Sequence, residues 1–107
     1  MTSEVLPSRF STAADRVPRW DELRGPTTGV IVLPNRLCWS GPPDFDVTDP
    51  PERLNLYTLL LSCGLRDDNA FYINGDLLRL DWWKVKRLTT WELTDVWEQK
   101  MPQLLQG

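Results

Sequence analysis

Apolar residues crowd the stretch between Asp49 and Gly64 so closely that little of its circumference is left for water. Placed about 100° apart on a helix, Leu54, Leu56, Tyr57, Leu59, Leu60, Leu61 and Cys63 cover most of the cylinder, and Asn55, Thr58 and Ser62 form one polar stripe. Such a helix is either the middle of a core or a face that another chain covers. Its start is marked by Asp49 as N-cap, Pro50 at the first helical position and Glu52 reaching back, the reciprocal arrangement of a capping box; Gly64 ends it.

Upstream, residues 29–33 (Gly-Val-Ile-Val-Leu) are β-branched and bounded by turn residues, which predicts a strand. Pro34 and Asn35 supply a turn, residues 36–39 return as a second strand, and Ser-Gly-Pro-Pro at 40–43 stops it. A two-stranded ribbon is marginal alone, so it packs on the helices or pairs with another sheet edge.

Downstream, Asp67 is placed to cap a short helix in which Phe71 and Tyr72 add to the core. Residues 70–88 then read two ways. Asn74-Gly75 between apolar runs is a hairpin signal, whereas Asp76 as cap begins a basic helix at about 76–88 that gathers Leu77, Leu78, Trp82, Val85 and Leu88 on one face, with Asp81 intruding. The helix is the favoured of the two. A last helix at about 90–100 follows from a Thr89/Glu92 capping box and a Leu88/Leu93 staple. Leu93, Val96, Trp97 and Met101 form its inner face, Asp95, Glu98 and Gln99 face water, and Pro102 closes it.

Residues 1–28 are rich in Ser, Thr, Pro and charge and read as a flexible N-terminal arm, followed by a single small globular domain over 29–107. Phe10, Ala13, Ala14 and Val17 form a faint amphipathic turn that Pro18 ends, with Trp20 and Leu23 beyond it. The arm either lies on its own core or orders on a partner. The fold expected is α+β and mostly helical: a small N-terminal β-ribbon packed on three or four short helices.

Composition narrows the chemistry. Six tryptophans and no histidine in 107 residues direct binding energy to cores and interfaces and remove the commonest general base and metal ligand. Cys38 and Cys63 stand apart in apolar contexts, where a thiol serves as a small core residue, so no zinc pattern can be assembled. A calcium loop starting at Asp44 fails, because its sixth and twelfth positions are Asp49 and Asn55. Neither phosphate-loop glycine pattern occurs, and no Ser-x-x-Lys offers a substitute for the missing base. No catalytic, cofactor or metal site is therefore expected, and without a signal peptide or a membrane-length apolar run the chain reads as cytoplasmic.

Two functional classes remain. Arg79, Lys84, Lys86 and Arg87 beside Trp82 and Trp83 would suit a small DNA-binding regulator, although a net charge of −3 argues against general phosphate binding. Surplus aromatic and leucine surface instead points to another protein chain, a second copy or a different protein, with Phe10, Trp20, Leu23, Trp83 and Trp91 as contacts. The framework of Trp20, Leu23, Gly25-Pro26, Gly29, Leu33-Pro34, Leu37, Trp39-Ser40, Phe45-Asp46, Asp49, Arg53, Tyr57, Leu60, Gly64, Trp83 and Trp97-Glu98 resembles small bacterial proteins associated with genes for AbiEii-type nucleotidyltransferase toxins. That resemblance covers residues 20–98 and implies an antitoxin or accessory subunit acting by stoichiometric contact. It carries over no functional residue.

Overall fold

The computed structural model describes residues 14–37 and 41–105. Strands β1 (Val30–Val32) and β2 (Asp44–Asp46) pair antiparallel, with Ile31 opposite Phe45. Four helices follow, α1 (Pro50–Cys63), α2 (Arg66–Tyr72), α3 (Gly75–Leu88) and α4 (Trp91–Lys100), and 3-10 turns occupy Trp20–Glu22 and Pro102–Leu105. This is the expected α+β, mostly helical fold.

The ribbon differs from expectation in its second strand. Residues 34–37 form a turn in which the Leu37 N–H donates to the Pro34 carbonyl (2.9 Å), and Leu37 tucks into the core. The partner of β1 is instead Asp-Phe-Asp at 44–46, and the longer connection, part of it outside the described residues, lets Leu33 and Leu37 both be buried. Gly29 starts the ribbon with φ at 95°, a left-handed value that glycine adopts without strain.

Helix α1 is central, as its apolar circumference requires. Leu56, Tyr57, Leu60 and Leu61 are fully buried, with Leu54 and Leu59 packed at the margin. Asp49 caps it by accepting the Glu52 N–H (3.2 Å), but the Glu52 carboxylate accepts from the Asp46 N–H (2.9 Å) rather than from the cap residue. The second half of the capping box thus becomes a tie from α1 to β2. Cys63 is exposed, contrary to the core role expected of it, because it stands in the last turn where the helix leaves the core. Gly64 keeps an ordinary φ of −73°, so its lack of a side chain matters for space: a Cβ there would collide with the Asn69 side chain and the Leu60 carbonyl.

Helix α2 is capped by Asp68, not Asp67. The Asp68 carboxylate accepts the Leu65 N–H (3.0 Å), while Phe71 points outward and Tyr72 is half-buried, so only the latter adds to the core. The hairpin alternative at Asn74-Gly75 is not realised. Asn74 caps α3 by accepting the Leu77 N–H (3.1 Å), and its Nδ2 donates to the Gly25 carbonyl (3.1 Å), a tertiary partner that a hairpin turn would lack. Leu78, Trp82 and Val85 are buried on the inner face of α3, whereas Leu88 is exposed.

Helix α4 begins at Trp91 with Thr90 as its N-cap, so the Thr89/Glu92 box does not form. Trp97 and Met101 are buried and Leu93 and Val96 half-buried. Pro102 opens the final 3-10 turn, which buries Leu104.

Of the expected arm, residues 14–26 lie against the helices rather than standing off. Val17 and Pro18 are buried, the Arg16 guanidinium donates to the Ser62 carbonyl (3.0 Å), and Asn69 donates to the Arg16 carbonyl (3.0 Å). The N–H groups of Arg24 and Gly25 donate to the carbonyls of Ala70 and Ile73, each at 2.9 Å. Phe10 lies outside the described residues.

Candidate functional site

Helix α3 has one face in the core and one in solvent, and both carry information. On the inner face Asp81, the charge that interrupts the apolar row, is buried and accepts from Arg53 Nε (2.7 Å) and Nη2 (3.2 Å) of α1. Trp82 sends its indole N–H out of the core to the Glu98 carboxylate (2.8 Å), and Lys86 Nζ stands 2.6 Å from the same oxygen. Burial by itself pushes Glu98 up, but Lys86 and the indole outweigh it and hold the carboxyl below its usual range. Glu98 is therefore the clasp between α3 and α4, not a residue facing water.

On the outer face Leu80 is 64% exposed and Trp83 58% exposed. They border a cleft of about 860 Å³ between α3 and the final 3-10 turn, where Leu105, 62% exposed, forms the opposite lip and Leu77 and Leu104 line it more deeply. Arg79, Asp76, Lys86 and Glu98 supply a rim of both signs. A second, smaller hollow of about 410 Å³ lies on the other side of Trp83, lined by Leu54, Leu88, Lys84 and Arg87. The Trp83 ring is a ridge between two apolar depressions, and Lys84 Nζ rests 5.4 Å from its centre.

The four basic residues do not act as one group. Arg79 pairs with Asp76 (3.5 Å) and lies 5.9 Å from the Trp20 ring, and Lys86 is taken by Glu98. Among the described residues only Lys84 and Arg87 of the four make no ion pair. The predicted contact residues separate similarly. Trp20 is half-buried across Gly75, whose Cβ would lie 3.1 Å from the ring, and Leu23 packs on the core, so both are used inside the molecule. Trp83 and Trp91 are exposed, the latter 71%, on different helices.

Asp68 and Tyr57 are both tied into contacts within the fold. Arg36 makes two hydrogen bonds to Asp68 (2.7 and 2.5 Å), which outweigh burial and keep that carboxyl low. Burial pushes the Tyr57 phenol up to about 12, against the pull of its hydrogen bond from the Asn74 N–H, so it stays neutral. No three Cys, Asp or Glu side chains gather as a metal site among the described residues, and none of their helices is long and apolar enough to cross a membrane.

Sequence reasoning missed Leu80 and Leu105, whose exposure depends on how α3 and the final turn meet. It also missed the pairing of Arg53 with Asp81. A signal for that pair existed, since each is a single charge set into an otherwise apolar helical face. A comparison with protein-family models, with curated proteins and with solved structures found no match.

Proposed function

We propose that this protein is a non-catalytic interaction module, an antitoxin or accessory subunit, which binds another protein stoichiometrically through the outer face of α3. The observation that carries the reading is the cleft with Leu80, Trp83 and Leu105 exposed at its lips, in a molecule whose core is already closed by Trp82, Trp97 and Leu104. Large apolar side chains around a concavity with a polar rim are the anatomy of a protein contact, with a tryptophan as anchor. The exposed free thiol of Cys63 supports placing the protein in the reducing cytoplasm.

Affinity purification from the native host tests this, using the wild type beside Leu80→Ser and Trp83→Ala. A stoichiometric partner retained by the wild type and lost by both variants is expected. A monomer with no co-eluting protein would overturn the reading. The DNA-binding alternative is separated by charge: Lys84→Glu with Arg87→Glu should abolish any salt-labile DNA binding, since those are the two uncompensated cations of α3.

A further inference from the structure

Among the described residues nothing pairs with the outer edge of β1. The Leu33 N–H donates to the Pro43 carbonyl (2.9 Å) and the Val47 N–H to the Gly29 carbonyl (2.8 Å), so the hydrogen-bonded pairs of the ladder fall at 29/47, 31/45 and 33/43. Val30 and Val32 occupy the alternate positions. Their N–H and C=O groups point away from β2, and the two residues are 63% and 64% exposed.

A cleft of about 430 Å³ runs beside this strand, lined by Val30, Ile31 and Val32 on one side and by Phe71, Tyr72 and Arg24 on the other. Side chains of consecutive strand residues alternate between faces, so a hollow that touches all three opens on the strand's edge. β1 is short, at three residues, but Val-Ile-Val carries neither the lysine nor the proline that otherwise blunts an exposed edge. The facing wall offers the exposed Phe71 ring with the Arg24 guanidinium 5.8 Å from its centre, and among the described residues Arg24 has no carboxylate partner.

We infer that this groove accepts an extended, acidic and aliphatic peptide segment of another protein as a third strand on β1. The edge of β1 supplies main-chain hydrogen bonds, Phe71 an apolar contact and Arg24 a site for a carboxylate. A second folded copy fits less well than a free peptide, since its own β1 lies beside the same Phe71 and would have to bring that ring and its helix into the groove. Asp44 and Asp46 stand on the far strand, and Arg24 is the charged residue among those that line the groove. The surface is separate from the α3 cleft, so this inference and the proposed function fail independently.

Amide hydrogen exchange of the full chain provides the test, with a hexapeptide of alternating valine and glutamate as probe. At a peptide concentration that fills nine sites in ten, exchange at Val30 and Val32 should slow about tenfold. A peptide N-methylated on the bonding edge should give no protection, and Arg24→Gln or a valine–lysine hexapeptide should weaken it, while Trp83→Ala leaves it unchanged. No protection at millimolar peptide, or equal protection by the methylated peptide, overturns the inference. Protection that rises with protein concentration in the absence of peptide also overturns it, by seating a second copy there.

Discussion

Arg53 and Asp81 meet inside the molecule in a two-pronged ion pair, Nε to Oδ2 at 2.7 Å and Nη2 to Oδ1 at 3.2 Å. The third nitrogen, Nη1, donates to the Val47 carbonyl (3.1 Å), so one guanidinium joins α1, α3 and the end of the ribbon. Two isolated charges on apolar helix faces are thereby converted into a single neutral, hydrogen-bonded unit.

Breaking that unit from one side strands a charge in the core. Asp81→Ala should cost about 3–5 kcal/mol, whereas replacing both partners by Arg53→Met with Asp81→Leu should recover most of the loss. Chemical denaturation midpoints report both. A fully stable Asp81→Ala protein would contradict the assignment.

Acid should weaken the tie between the 34–37 turn and α2. Arg36 holds Asp68 below its ordinary value of 3.8, so the pair's contribution is complete above that value and is lost as pH falls through the lower folded value. The stability gap between the wild type and Asp68→Asn is therefore expected to be widest near neutrality and to close as the pH is taken down past the ordinary value of 3.8 and through the lower folded one. A gap constant with pH in urea titrations would count against this.

The N-terminal segment is expected to behave as part of the fold. A Cβ on Gly25 would run into the backbone of Tyr72 and of Ile73, whose carbonyl accepts the Gly25 N–H. Gly25→Ala should lower stability by about 1–3 kcal/mol and make the half-buried Trp20 more accessible to a soluble quencher. Unchanged quenching with unchanged stability would mean that residues 14–26 are not docked in solution.

Helices α1 and α4 were legible because their information is local. Apolar spacing, Asp49 with Pro50, and the row of Leu93, Val96, Trp97 and Met101 all act within a few turns of one helix. The same locality left two readings at Asn74-Gly75, where a hairpin signal and a cap signal coincide, and the favoured helix is the one that forms. The bond from Asn74 to the Gly25 carbonyl, across 49 residues, accompanies the cap. At Glu98 the helical pattern assigned a solvent face, which the Trp82 indole and Lys86 cover from α3.

By itself, then, the order of residues determined the helices, the presence of a ribbon and the want of histidine chemistry, since each depends on neighbours in the chain or on composition alone. Only the tertiary structure decided that β1 pairs with 44–46, that Arg53 finds Asp81, and that Leu80, Leu105, Val30 and Val32 remain outside. Those outcomes depend on which distant surfaces meet. Burial and pairing are properties of the packed whole, and a charge or an apolar side chain has the same identity in sequence whether another element covers it or water does.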